Sequence, residues 1–365
     1  MMNSDRMIRR ARWVAAWLAL TAAVGTTGAR AGSDETITRI AFGSCAHQEK
    51  PQPIWRAILA ARPQAFLFLG DNIYGDSEDM AVLKAKYDKL DANPDFAALR
   101  AACPVLGVWD DHDYGANDGG ADYPMREASQ RVFADFFRLP ADSPVRQRPG
   151  IYDARVYGPA GRRVQIILLD TRYFRSPLLK LPARGALGPY APNPDPVATV
   201  LGEPQWAWLA GQLREPADLR IVLSSTQLLP QDHAWECWEN FPAERARFLR
   251  LLGETGAGGT IVLSGDRHLA EIMRLSTDDP LSPGAPVWEI TSSSLTNPGG
   301  GTDAEPNRHR VSQGNYRDLN FGLLEIDWER RVVAASVRNL VGDPVFEQAI
   351  RLDDLRPAAA TSGGR

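Results

Sequence analysis

Cysteine is scarce, three in 365 residues, and the count is odd. A small fold stapled by disulfides is thereby excluded. Cys103 and Cys237 remain able to pair, which would leave Cys45 as the odd thiol. Excess positive charge is lacking too: 41 Lys and Arg stand against 45 Asp and Glu, a formal charge of −4. Arg6, Arg9, Arg10, Arg12 and Arg30 all fall near the amino end, so the remainder is more acidic still. No nucleic-acid or anionic-membrane surface is expected of such a chain. An anionic ligand would have to be held by local cations or metal, because salt screens charge beyond about 8–10 Å. Long apolar runs are missing as well, the longest being the 12 residues from Trp13 to Val24, against the roughly 20 that span a bilayer. Internal repeats are absent, which excludes a solenoid.

What is present suits a globular protein, with 44% hydrophobic and 24% charged residues. The basic start, the apolar run and Ala29-Arg30-Ala31 read as a signal peptide over residues 1–31. Export to the periplasm or outside the cell is the expectation, by the general or the twin-arginine route. Residues 32–356 read as a single domain without a membrane span, followed by a disordered tail over 357–365. Nothing in the sequence sets an oligomeric state.

From Ile37 onward, short apolar runs alternate with amphipathic stretches. Ile37–Gly43, Ala65–Leu69, Val105–Trp109, Arg220–Leu223 and Thr260–Leu263 look like strands buried on both faces, with helices near 54–61, 79–90, 124–138, 203–214 and 242–252 covering them. Ile151–Tyr157 and Val164–Leu169 read as a hairpin; Val287–Ser292, Leu323–Trp328 and Val332–Arg338 read as late antiparallel strands. The class is α/β, with two sheets face to face and helices outside. Ser176–Val200, with six prolines, reads as a long surface loop or lid, and Asn297–Arg310 as another irregular stretch.

Ligands of open α/β sheets gather where strands stop at their carboxyl ends. Here those ends read Gly43-Ser44-Cys45, Gly70-Asp71-Asn72-Ile73-Tyr74, Trp109-Asp110-Asp111-His112-Asp113 and Ser264-Gly265-Asp266-Arg267-His268. An aspartate after one strand is often only a helix cap. Four such ends together predict clustered carboxylates, which repel one another unless protons or cations intervene. A polynuclear metal site is the economical explanation. Cys45 and Tyr74 are anionic donors suited to a transition ion, and Asp71, Asn117 and Asp266 are hard oxygens suited to calcium, magnesium or manganese. Asp71 is placed to bridge two ions about 3.5–4 Å apart, with Tyr74 returning from the first turn of a following helix.

These motifs, with Leu169-Asp170-Thr171-Arg172-Tyr173-Phe174-Arg175-Ser176, resemble the alkaline phosphatase D branch of the metallophosphoesterases from about Ile37 to Val337. The resemblance implies a four-layer αββα sandwich and a dinuclear or larger centre with iron and calcium, zinc, manganese and magnesium being compatible too. It also implies hydrolysis of small phosphate esters. Carried over by motif, Cys45, Asp71, Tyr74, Asp266 and His268 are metal ligands, with Asn117 a further oxygen ligand. The third motif departs from the wider superfamily's Gly-Asn-His and acid: Asp111 aligns with the ligating asparagine, Asp110 stays an alternative, and His112 aligns with the histidine that serves the leaving group. Ser225-Thr226-Gln227 stands where the superfamily places another histidine, so an all-imidazole pair is not expected.

The reaction so expected is attack of a metal-bound hydroxide on phosphorus, with His112 protonating the departing alcohol of a monoester or diester. Arg172 and Arg175 are candidates for binding the phosphate, or else surface ion pairs. An exported phosphate-binding protein without turnover is the alternative. Trp206, Trp208, Trp235 and Trp238 read as packing, the last two with a possible place at the entrance. His47 and His309 lack spacing partners and read as surface residues, His47 standing near Cys45. Gly299, Gly300 and Gly301 read as a flexible loop.

Overall fold

The computed structural model describes residues 30–185, 187–299 and 305–356. The leader expected over residues 1–31 lies outside them apart from Arg30 and Ala31, as do the tail over 357–365 and Gly300–Gly301. No helix among the described residues is long and apolar enough to cross a membrane.

In chain order the strands are β1 (Arg30–Ser33), β2 (Arg39–Gly43), β3 (Ala65–Leu69), β4 (Val105–Val108), β5 (Asp153–Tyr157), β6 (Val164–Leu168), β7 (Leu179–Gly185), β8 (Gly188–Ala191), β9 (Leu219–Ser224), β10 (Thr260–Ser264), β11 (Ala270–Leu275), β12 (Val287–Ser292), β13 (Asn320–Asp327), β14 (Val332–Asn339) and β15 (Pro344–Arg351). The helices are α1 (Ile54–Ala60), α2 (Met80–Asp91), α3 (Pro94–Ala102), α4 (Asp111–Tyr114), α5 (Arg126–Phe136), α6 (Gly202–Gln212) and α7 (Pro242–Thr255). One sheet has the order β1-β5-β6-β9-β10-β12-β11, the other β15-β14-β13-β2-β3-β4. Both are mixed: β6, β9, β10 and β12 run parallel, as do β2, β3 and β4, while β11 and β13–β15 run antiparallel to their neighbours.

Alternation along the buried strands explains the layering. Ile166 and Leu168, Ile221 and Leu223, and Ile261 and Leu263 enter the core shared with Ile40, Phe42, Leu67 and Leu323 of the other sheet. The residues between them, Ile167, Val222 and Val262, pack instead under Trp206 and Leu209 of α6 and Phe248 and Leu249 of α7. Successive side chains point to opposite faces, so an apolar run with no polar alternation must be covered twice. On the far side Trp55 of α1 and Phe96 of α3 pack edge-on or tilted against Phe66 and Phe68 of β3, at centroid distances of 5.7 to 6.0 Å. The result is the four-layer αββα sandwich.

The structure corrects several local expectations. α3 falls two residues after α2, and the joint is marked by Asn93, whose side chain caps Asp95 and Phe96 just ahead of Pro94. β11 and β15 were not expected. Both are sheet edges; β15 tolerates a leading proline, Pro344, there, and the outer side of β11 is bridged at Ala270–Tyr316 and Met273–Arg310. The proline-rich stretch 176–200 is not a plain loop, because β7 and β8 pair antiparallel within it. Tyr74 does not open a helix: it lies in the loop between β3 and α2. Cys45, Cys103 and Cys237 are all buried free thiols, so the Cys103–Cys237 pairing is not formed. His309 is buried, with its Nε2 3.2 Å from Gln231 Oε1. Trp206 and Trp238 are core residues, donating to Glu244 and Ser224.

Candidate metal centre

Four turns meet where the parallel strands of both sheets end. Ser44 N donates to Ser292 O (3.0 Å), Ala46 N to Asp71 O (2.8 Å) and Gly265 N to Ser225 O (2.9 Å), so the turns are laced across the sheets. Cys45, Asp71, Asp266 and His268 all hold left-handed backbone, at φ 61°, 51°, 68° and 51°. That conformation is uncommon outside glycine and clusters at functional sites. Two glycines permit the close approach. A Cβ on Gly70, itself at φ 99°, would lie 2.5 Å from Asp110 Cβ, and one on Gly265 would lie 2.5 Å from Ser44 Oγ.

The side chains at these turns form three overlapping groups whose potential ligand atoms lie within 4.8 Å of one another: Cys45, Asp71 and His268; Asp71, Asp111 and His112; and Asp110, Asp111 and Asp266. Asp71 and Asp111 each belong to two, which places them between adjacent ion positions. Cys45 Sγ lies 3.3 Å from Asp71 Oδ2 and 3.1 Å from Ser293 Oγ. The Tyr74 hydroxyl lies 3.4 Å from Asp71 Oδ2 and 3.5 Å from His268 Nε2. His268 Nδ1 sits 2.5 Å from Asn297 O. A carbonyl can only accept, so Nδ1 carries the proton and Nε2 presents its lone pair to the site.

Burial pushes the Cys45 thiol, the Tyr74 phenol and the Asp71 and Asp266 carboxyls well above their ordinary values, and neighbouring negative groups push them further. Burial also raises Asp110 to about 7 despite the adjacent Arg172. Asp111 goes the other way: burial would raise it, but Arg172 and His112 outweigh burial and hold it at about 2. Among the described residues, Asp71 Oδ1 and Asp110 Oδ2 are buried with no hydrogen-bond partner. A site so rich in acid with two unpaired carboxylate oxygens is short of positive charge. Thiolate, phenolate, imidazole and carboxylate donors fit bound cations, of transition and hard type side by side.

The surrounding network holds this geometry. The Asp113 carboxylate accepts from the backbone of Asp71 (3.2 Å) and Asp110 (2.7 Å), from Asn72 Nδ2 (2.6 Å) and from the Tyr87 hydroxyl (2.9 Å), tying the second and third turns together. Asp170 accepts from the backbone of Arg172 and Tyr173 (both 2.9 Å) and delivers Arg172 inward. Arg172, fully buried, donates to Asp110 (2.6 Å from Nε) and to both oxygens of Glu236 (2.8 Å). Arg175 pairs with Glu236 at 3.0 Å and donates to the carbonyls of Asp118 and Gly119. The surface alternative for these arginines is corrected, because both guanidinium groups are buried; they are also engaged by carboxylates and carbonyls. Asn117 is exposed and donates to Asp118 (3.0 Å), which puts it at the rim rather than among the buried acids. Asp118 N in turn donates to Asp111 Oδ2 at 2.8 Å.

His112 stands beside the cluster with Nδ1 2.8 and 3.0 Å from the two oxygens of Asp76. Burial would lower its pKa, but the hydrogen bond to Asp76 and the charges of Asp111, Asp76 and Asp110 raise it to about 9. Asp76, Asp113, Glu236 and Ser293 were not singled out from sequence. Asp113 lies inside the third motif run and Asp76 two residues beyond the second, whereas Glu236 carries no local signal. If Asp76 orients His112, Asp76→Asn should lower turnover roughly 10-fold or more with metal content unchanged. Steady-state kinetics beside elemental analysis checks this, and unaltered turnover would remove Asp76 from the machinery.

Comparison with known proteins agrees with the geometry. The model of the PhoD-like phosphatase family matches residues 40–337, a span that contains every candidate ligand. The chain belongs to the PhoD-like phosphatase family. The alkaline phosphatase D of Bacillus subtilis (strain 168) is 26% identical to it over 247 residues, 62% of this chain and 41% of that protein. The chain therefore aligns with less than half of that curated relative's length. A solved structure of PhoD superposes on 92% of this chain and 74% of its own, with TM-score 0.70 at 18% identity. The shared fold of this PhoD-like phosphatase places the family's strand-end motifs at one edge of the sandwich.

Proposed function

We propose that the protein is a metal-dependent phosphoesterase that hydrolyses small phosphomonoesters or phosphodiesters. The observation that carries this reading is the chain of three overlapping clusters sharing Asp71 and Asp111, with buried carboxylate oxygens left unpaired. Cys45, Asp71, Tyr74 and His268 would hold one ion and Asp71, Asp111 and Asp266 a second, with Asp110 beside it and Asn117 at the rim. Thiolate and phenolate suit iron at the first position, and carboxylates suit calcium at the second. Bound ions there would lower the pKa of water and neutralise charge on phosphoryl oxygens.

The chain's own groups do the rest. Asp76 fixes His112 with a proton on Nδ1 and favours the protonated ring, so the imidazolium offers a proton to the departing alkoxide. Arg172 and Glu236 hold Asp110 at its post while Ser225 donates to the same Asp110 oxygen at 2.6 Å. Phosphate binding then depends on the cations of the centre, because Arg172 and Arg175 are already paired.

Elemental analysis of the purified protein, with assays on a panel of phosphomonoesters and phosphodiesters before and after chelation, tests the proposal. Stoichiometric metal is expected, with ester hydrolysis lost on chelation and regained on metal return. Iron held by Tyr74 and Cys45 should also give a visible charge-transfer band that Tyr74→Phe shifts or removes. A metal-free protein, or hydrolysis indifferent to chelation, would end this reading.

A further inference from the structure

The Tyr74 ring packs against two histidines. The His47 ring is stacked on it, 4.6 Å away centroid to centroid at an interplanar angle of 15°, and the His112 ring lies 4.2 Å away, tilted by 34°. His112 already has a place in the site, but His47 has none. It is nevertheless firmly held: its carbonyl accepts from Lys50 N (3.0 Å) and Thr296 Oγ1 (3.2 Å), and its Nδ1 accepts from Glu49 N (3.2 Å). An accepting Nδ1 fixes the neutral tautomer, so a flat uncharged ring is laid on the phenol. The next residue continues the grip. Gln48 Oε1 accepts from Tyr74 N (2.8 Å) and its Nε2 donates to Tyr74 O (3.3 Å). Tyr74 therefore has its backbone tied by Gln48 and its ring packed against two imidazoles, His47 stacked flat on it, with the hydroxyl aimed at Asp71 and His268. Its own backbone, in a loop, provides no such restraint.

We propose that His47 is a positioning residue of the centre, acting as a stacking plate that fixes the rotation of the Tyr74 ring and so the direction of its hydroxyl. The proposal rests on the metal-centre reading in one respect only, namely what the aimed hydroxyl is for. Groups that orient metal ligands typically contribute about 10–100-fold to metal affinity or activity when removed. A stacking role needs a flat ring and no nitrogen, which separates it from a role in proton transfer or phosphate binding.

The test compares His47→Ala with His47→Phe in the full chain, each with wild-type Tyr74 and with Tyr74→Ala. Two readouts are taken: retention of metal against a competing chelator, and the Tm of the chelator-stripped protein. We expect His47→Ala to weaken retention roughly 10-fold and His47→Phe to restore it to within about twofold. In stripped protein the Tm losses of His47→Ala and Tyr74→Ala should be non-additive, as for residues in contact. Wild-type retention in His47→Ala, equal damage in His47→Phe, or additive Tm losses would each overturn the stacking role. A wild-type chain that binds no metal would instead sink the phosphoesterase reading, and the Tm cycle would still decide the stacking role by itself.

Discussion

Replacing His112 with alanine is expected to lower turnover of an ester with a poor leaving group by about 10²–10⁴, the usual range for general acid–base assistance. The geometry behind the number is the imidazole between Asp76 and the carboxylate cluster, in reach of Asp71 and Asp111. Its raised pKa, about 9, keeps the acid form populated through neutral pH. For an activated aryl ester, whose leaving group needs little protonation, the loss should be much smaller. The position within 4.8 Å of two potential ligands also permits coordination, and the pair of esters separates the roles. A large loss on the alkyl ester alone, with metal content intact, marks an acid. Equal losses on both esters together with metal depletion would move His112 into the coordination sphere.

The second large effect concerns stability. Arg172→Met should destabilise the protein by about 3–5 kcal/mol, the cost of removing one partner from a buried ion pair. Arg172 has no exposed side-chain surface, and its two carboxylate partners, Asp110 and Glu236, are 0% and 4% exposed. Without the guanidinium, buried Asp110 loses its cation and Glu236 keeps only Arg175. Arg172→Lys should recover only part of the loss, since an ammonium cannot reproduce the fork that reaches both partners. Chemical denaturation of stripped protein measures the effect. A loss below about 1 kcal/mol, combined with a raised KM, would restore Arg172 to the substrate.

The contrast between the arginines and the strand-end acids shows what a sequence can carry. Cys45, Asp71, Asp111 and Asp266 were legible because each ends an apolar run. A strand buried on both faces announces itself locally, and the parallel order of such strands brings their carboxyl ends to one edge. The hairpin β5–β6 and the antiparallel strands β13 and β14 were legible for the same reason, as alternation or continuity of apolar residues along a short segment, whereas β12, expected antiparallel, runs parallel to β10 and antiparallel only to β11. Edge strand β15 and the ribbon β7–β8 were not, because exposure weakens the pattern that burial imposes, and in buried β11 the charged Glu271 and Arg274 interrupt the apolar run.

The sequence by itself therefore determined the layered α/β architecture, the convergence of four donor-bearing turns, three of them acidic, and the kinds of donor they bring. The tertiary structure alone decided how those donors are used. It paired Arg172 and Arg175 with Glu236, more than sixty residues along the chain. It set Asp76 behind His112 and His47 against Tyr74, and left Asn117 at the rim. Each of these depends on the approach of turns distant in sequence, where charge pairing and ring stacking act through a few ångströms of space and leave no periodic trace along the chain.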